Sequence, residues 1–195
     1  IIWGLTFPIQ KLILPEISPF VYNATRFWIA TVLSLFFFGK GNTYGFILGI
    51  ILGFAYATQT WGLSITTSSK SGFITAFYIV LIPIFSYFIE KEKPNIFQIS
   101  GFFIAMLGEY FLSGGIHNFN FGDFLTFICA ILYALHVVLV THYSKKTEEK
   151  HLLTSQFLTV AIINSLLGIS SSWNVSIKVL NVAIFTAVFA TIYAL

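Results

Sequence analysis

The chain has 195 residues, of which 57% are apolar, 18% aromatic and only 9% Asp, Glu, Lys or Arg, against roughly a quarter charged in an ordinary soluble domain. No soluble fold of this length hides so much apolar surface, so the composition excludes a soluble enzyme or binding module and makes lipid the solvent. The formal net charge of +3 comes from lysines scattered singly through predicted loops, which excludes the basic, aromatic-interleaved stripe of a nucleic-acid binder.

The fold class expected is an all-α membrane protein with about eight transmembrane helices in this chain. A charge at the bilayer centre costs about 2.5 to 3.5 kcal/mol, so gaps between charges mark the spans. Residues 41–69, 71–89, 124–144 and 151–177 contain no Lys, Arg, Asp or Glu, and each run is long enough to cross about 30 Å of hydrocarbon as a helix. Segments 19–38 and 94–114 are interrupted once each, by Arg26 and Glu109. Barrel strands of about 10 alternating residues do not fit runs of this length.

In chain order, the first predicted span covers 1–14 and stops at Pro15; the second covers 19–38 and stops at Gly39 and Gly41. The third covers 44–63 and repeats a small residue every fourth position, at Gly45, Gly49, Gly53 and Ala57, a ridge along which another helix approaches closely. The fourth covers 70–89, the fifth 94–114 up to Gly114 and Gly115, the sixth 121–142, the seventh 152–173 and the eighth 179–195. Pro8 and Pro83 are predicted to kink their helices. Cys129 stands alone in an apolar run and reads as a packing residue, so no disulfide framework or cysteine metal site is expected.

Loops after the second, fourth and sixth spans hold Lys40, Lys91, Lys93, Lys145, Lys146 and Lys150, while Lys11, Lys70 and Lys178 lie at the other surface. The six-to-three bias predicts that the first span runs from inside to outside. The short first span, and a last span that stops at Leu195 without a basic flank, read as a piece of a longer reading frame.

A set of residues carries a family resemblance: Trp3-Gly4; Lys11; Pro19 seven residues before Arg26-Phe27, with Ala30 after; Gly62-Leu63; Gly72-Phe73-Ile74-Thr75 with Pro83; Glu92 nine residues before Gly101; and Gly108. Gly122-Asp123 and Phe189-Ala190-Thr191 continue it. The sequence resembles the drug/metabolite transporter superfamily, specifically its EamA-type repeat. That resemblance implies a ten-helix bundle of two inverted five-helix repeats with cytoplasmic termini, divided here into 1–115 (first repeat) and 116–195 (part of the second). Residues 130 positions apart support a repeat: Trp3 with Tyr133, Thr25 with Ser155, Arg26 with Gln156, Phe27 with Phe157.

In such transporters the first, third, fourth, sixth, eighth and ninth helices are taken to surround the cavity, which makes Trp3, Thr6, Tyr56, Gln59, Lys70, Tyr78, Tyr133 and His136 the substrate-pathway candidates. Thr126, Cys129, Tyr133 and His136 lie within about 80° of one another on a helical wheel. His136 relays protons or contacts substrate, or else is a neutral histidine bonded inside the bundle. Gln59 and Tyr56 share a face with Thr60, turned from the glycine ridge; Gln59 is a substrate hydrogen-bonder or interhelical glue. Arg26 and Glu109 pair or snorkel. Glu92 is an inner-gate contact or part of a charge-balanced loop. Lys70, beside the N-terminus of the fourth span, binds an anionic substrate group or anchors at the headgroups.

The function expected is a secondary transporter, an exporter of small polar or amphipathic, amino-acid-like metabolites working by alternating access. The rivals are a non-transporting scaffold or receptor and a membrane-embedded enzyme; for the latter no G-x-S-x-G or H-E-x-x-H occurs. No cofactor, metal or catalytic residue is expected. The expected partners are a small-molecule substrate and the lipid bilayer, with a homodimer left open and no nucleic acid. The location expected is the plasma membrane of a bacterium or archaeon, crossed many times.

Overall fold

The computed structural model describes residues 2–112 and 119–192, without the side chains of Ile2, Trp3, Glu109 and Leu112. The described residues are helical with no strand. The helices are α1 (Ile2–Ile13), α2 (Pro19–Phe38), α3 (Thr43–Ile65), α4 (Ser68–Ala76), α5 (Tyr78–Ile89), α6 (Ile96–Leu112), α7 (Phe121–Ser144), α8 (Lys150–Leu167) and α9 (Ile177–Ala187), which continues as a π turn over Val188–Ile192.

Local chemistry sets the ends. Pro19 opens α2 with a pre-set φ, and Gly39 closes it at φ +76°, a left-handed value natural to glycine. The Asn42 side chain accepts from the Gly45 amide at 3.0 Å to start α3. At α7 a capping box forms: Asn120 Oδ1 accepts from the Asp123 amide at 3.0 Å and Asp123 Oδ2 accepts from the Asn120 amide at 3.1 Å.

The expected order of eight helical runs is observed, with differences inside them. Pro19–Phe38, Thr43–Ile65, Ser68–Ile89 and Phe121–Ser144 are the four helical runs long and apolar enough to cross a membrane, among the described residues. The fourth run is broken at Phe77, where the chain tightens into two i→i−3 bonds, Phe77 N to Ile74 O at 3.1 Å and Val80 N to Phe77 O at 3.0 Å. Pro83 cannot donate to the carbonyl of Ile79, which removes a regular bond from the next turn. The seventh run, expected to reach Trp173, ends at Leu167. Gly168 and the serine run 170–172 favour turns over helix, and the Trp173 indole donates to the Gly168 carbonyl at 3.2 Å, folding the segment back on the helix end.

Helical runs that follow one another in the chain alternate in direction, which gathers the loops at two ends. At one end Thr154 Oγ1 donates to the Gly39 carbonyl at 2.8 Å, Asn42 Nδ2 donates to Thr147 Oγ1 at 3.1 Å, and Glu90 pairs with Lys145 and with His142 at 2.6 Å. Hydrogen bonds from Lys145 and His142 hold the Glu90 carboxyl below the usual carboxylate range. That link between α5 and α7 is present at neutral pH and is lost only as the pH falls through the lowered value. At the opposite end Lys11 Nζ donates to the Leu63 and Ser64 carbonyls at 2.7 and 2.9 Å, and Lys178 pairs with Glu16 at 2.6 Å.

The body of the bundle is α2, α3, α7 and α8; α6 lies at the periphery against α5 and α4, its Phe97, Phe103 and Ile104 exposed. The glycine ridge of α3 meets α8. A Cβ on Gly49 would stand 2.6 Å from the Thr159 Cβ and 2.8 Å from the Gln156 carbonyl, and one on Gly45 would run into Ser155 and the Leu152 carbonyl. Further along α3, Gly62 meets Gly122 of α7 backbone to backbone. Close approach lets a buried polar triad form: Thr60 Oγ1 donates to Asn23 Oδ1 at 3.0 Å, and Asn23 Nδ2 donates to the Tyr56 carbonyl at 2.9 Å and to Asn164 Oδ1 at 3.2 Å. α2, α3 and α8 are thereby joined where lipid offers no partner.

Gly49→Leu is expected to destabilise the purified protein by about 1 to 3 kcal/mol through overpacking. Gly101→Leu, on an open face of α6 with nothing within 4 Å of a new Cβ, should stay within about 0.5 kcal/mol of the parent. Thermal unfolding of both variants in detergent checks this; equal midpoints would contradict the tight seam.

Candidate functional site

Beside the α3–α8 seam lies a cavity of about 550 Å3, within the usual range for small-molecule sites. Within a largely apolar lining, its polar groups come from several helices: Thr6 and Gln10 of α1, Arg26 of α2, Tyr56 and Gln59 of α3, Thr75 of α4, Tyr78 of α5, Tyr133 and His136 of α7, Gln156 of α8 and Thr191 of the π turn. Toward the Lys145 end the lining passes to Val140, Thr141, Glu149 and Lys150, the last three exposed, so the cavity opens at that end. At the other end Lys11 caps α3, and Asp123 receives a hydrogen bond from Thr66 and an ion pair from Lys70 at 3.3 Å.

Aromatic rings form one wall. Tyr56 and Tyr133 meet edge to face at 5.5 Å, Tyr133 and Tyr78 at 6.0 Å, and Phe27 lies against Tyr56 at 4.6 Å. The polar groups are held with unequal firmness. His136 Nε2 and Gln156 Oε1 are 2.7 Å apart, which fixes the imidazole with that N–H donating to the amide oxygen. Gln59 is loosely held, accepting from the Tyr133 hydroxyl and donating to Thr75 Oγ1, both at 3.4 Å, so a solute competes easily for its amide.

Arg26 is 3% exposed. Its Nε and Nη2 both donate to Thr191 Oγ1, at 3.1 and 2.7 Å, and its guanidinium carbon lies 5.2 Å from the Phe27 ring centre and 5.0 Å from that of Tyr56. The π turn aims this acceptor, because Thr191 Oγ1 itself donates to the carbonyl of Thr186, five residues back, at 3.0 Å. Among the described residues no group of three or more His, Cys, Asp or Glu could hold a metal ion.

The sequence pattern of the EamA-like transporter family matches residues 1–114. The chain belongs to that family. It is 36% identical over 198 residues to an uncharacterized transporter of Archaeoglobus fulgidus, covering all of this chain and 64% of that protein. It is 29% identical over 186 residues to an uncharacterized transporter of Buchnera aphidicola subsp. Schizaphis graminum, covering 88% of this chain and 61% of the relative. With the uncharacterized transporter YoaV of Bacillus subtilis the identity is 23% over 164 residues, 78% of this chain and 56% of that one. The chain therefore spans less than two thirds of the length of these relatives. No solved structure matches it. Family membership and the long apolar helices make it an integral membrane protein.

Of the residues singled out from the EamA-type sequence, Thr6, Tyr56, Gln59, Tyr78, Tyr133 and His136 line the cavity together. Arg26 joins them; it does not snorkel, and its hydrogen-bond acceptor is Thr191 of the π turn. Lys70 is not among the lining residues and pairs with Asp123 at the end of the bundle opposite Lys145. Glu92 accepts from Ser86 Oγ at 3.0 Å in the exposed loop after α5. The side chains of Trp3 and Glu109 lie outside the described residues. Thr60, expected to share the Gln59 face, belongs to the Asn23 triad instead. Gln10, Thr75, Gln156 and Thr191 were not singled out as site residues; the 130-residue comparison that sets Arg26 beside Gln156 contained a signal for one of them.

The opening is testable by thiol labelling. In a Cys129→Ala background, Thr141→Cys should react with an impermeant reagent from the same membrane face as Lys145→Cys, and Ser71→Cys, fully buried toward the opposite end of the bundle, should not react. Labelling of Thr141→Cys from the opposite face would contradict this geometry.

Proposed function

We propose that the protein is a secondary transporter that exports small polar or amphipathic, amino-acid-like metabolites by alternating access. The observation that carries this reading is the cavity: polar groups from separate helices face one space that opens at the Lys145 end. A scaffold has no need of such a space, since polar groups inside a membrane protein are costly unless they serve a pathway or a bond. At the opposite end of the bundle Lys70 and Thr66 hold Asp123, and Lys11 holds the end of α3. By the positive-inside rule the Lys145 end is cytoplasmic, so the cavity faces the cytoplasm and is loaded from there.

Helix pairing supports the two-repeat reading, with 1–115 and 116–195 as parts of inverted halves of a ten-helix bundle. α2 and α8, related by the 130-residue offset, pack antiparallel, with Asn23 against Asn164 and Phe27 against Phe157. α3 runs beside α8 in the same direction, and its counterpart α9 runs beside α2 in the same direction, with Tyr22 against Thr186 and Arg26 against Thr191. Such exchange of partners is what an in-plane pseudo-two-fold produces. The relatives come from an archaeon and from bacteria, which supports a multi-pass plasma-membrane location.

Reconstituted in liposomes, the protein is expected to catalyse counterflow of a small amino-acid-like solute well above empty vesicles, and Tyr133→Ala to lower it about tenfold without a matching loss of thermal stability. Flux equal to empty vesicles across neutral, acidic and basic amino acids and their deaminated and decarboxylated analogues would contradict transport.

A further inference from the structure

The least explained group in the bundle is a cation. Arg26 sits beside the cavity at 3% exposure, and among the described residues no carboxylate pairs with it. Glu16, Glu90, Asp123 and Glu148 have cationic partners elsewhere, Glu92 is bonded to Ser86, and Glu149 lies on the exposed rim. A buried guanidinium without a counter-charge is costly. The faces of Phe27 and Tyr56 offset part of that cost by cation–π attraction but carry no formal charge.

The hydrogen-bond partners of the group are neutral hydroxyls. A guanidinium has five N–H donors, and here Nε and one Nη2 hydrogen converge on the single Thr191 oxygen. Tyr22, buried one turn earlier on α2, shares a side-chain hydrogen bond with the same guanidinium, and none of these partners carries a formal negative charge. A guanidinium fork takes a carboxylate through two parallel bonds, which neutral hydroxyls do not replace in charge.

We propose that Arg26 is the anion-binding residue of the cavity and that the solute class is small monocarboxylates with an aromatic or apolar body. This deepens the transport reading and rests on it for the word solute. One guanidinium, with no second Lys or Arg on the inner wall, matches one negative charge and leaves a phosphate dianion or a dicarboxylate unbalanced. No described carboxylate stands on the inner wall either, so an amine has no ion-pair partner there. The rings of Tyr56, Tyr78 and Tyr133 supply the flat apolar surface for the body of the solute, and the loosely held Gln59 amide supplies an adjustable polar contact.

Three probes that share one ring and differ in charge test this: phenylacetate, phenethylamine and 2-phenylethanol, titrated calorimetrically into the purified full chain in nanodiscs. Phenylacetate is expected to bind about ten- to a hundredfold more tightly than either of the others, the range of a charge-assisted hydrogen-bonded pair. Arg26→Gln should abolish that preference, and Arg26→Lys, which keeps the charge and loses the fork, should retain part of it. Equal affinities for the three probes, a preference for phenethylamine, or an unchanged preference in Arg26→Gln would overturn the assignment. Should Arg26→Gln fail to fold, the selectivity of the parent protein among the three probes decides alone. Arg26-dependent binding of phenylacetate without flux would sink the transport reading and leave this one; flux of amines or alcohols without carboxylate preference would do the reverse.

Discussion

The structure depends on how closely α3 approaches α8. Lipid tails are as apolar as leucine, so burial of apolar surface does not draw these helices together; dispersion contacts and internal hydrogen bonds must. Both need short distances, and Gly45, Gly49 and Gly53 supply them by placing hydrogen where any other residue would place carbon against Ser155, Thr159, Ile163 and the α8 backbone. With the backbones in contact, Asn164 reaches both Asn23 and the Gly53 carbonyl. The same seam carries Gln156 to His136, on the edge of the cavity.

From that seam outward, polar groups divide into two kinds. Those of the triad Thr60, Asn23 and Asn164 satisfy one another and hold helices. Those of the cavity are satisfied in part: Gln59 through two long bonds, Arg26 through neutral hydroxyls and two rings, without a counter-charge among the described residues. Incomplete satisfaction has a cost in a low-dielectric interior, and a site that must take up and release a solute has a use for it, because a fully bonded wall would offer nothing to exchange. The two ends of the bundle differ accordingly. Toward one end of the bundle Lys70, Asp123 and Thr66 tie α3, α4 and α7 together, whereas the open end of the cavity passes into exposed residues at the start of α8.

Much of this was legible in the sequence because lipid simplifies the code. Charge-free runs located the helices, the four-residue glycine period located the ridge, and helical periodicity put Tyr133 and His136 on one face of α7. What stayed hidden depends on partners far apart in the chain. Phe77 breaks the fourth run through two local i→i−3 bonds that composition does not announce. The π turn at Val188–Ile192 rotates Thr191 toward Arg26, and no periodicity of 3.6 foresees a turn of five. Lys70 and Asp123 are each unremarkable at a helix end; their pairing needs α4 laid against α7. Arg26 was read as a surface or paired charge because a cation inside lipid usually is one, and only the fold places it on a cavity wall.

The central claim is that this cavity, with Arg26 on its wall, is where the solute sits. A crystal structure with 4-iodophenylacetate tests it directly, because anomalous scattering marks the iodine independently of the protein. An iodine peak is expected between the rings of Tyr56, Tyr78 and Tyr133, with the carboxylate on the Arg26 guanidinium. Iodine found only on the lipid-facing surface, or a carboxylate turned away from Arg26, would contradict it.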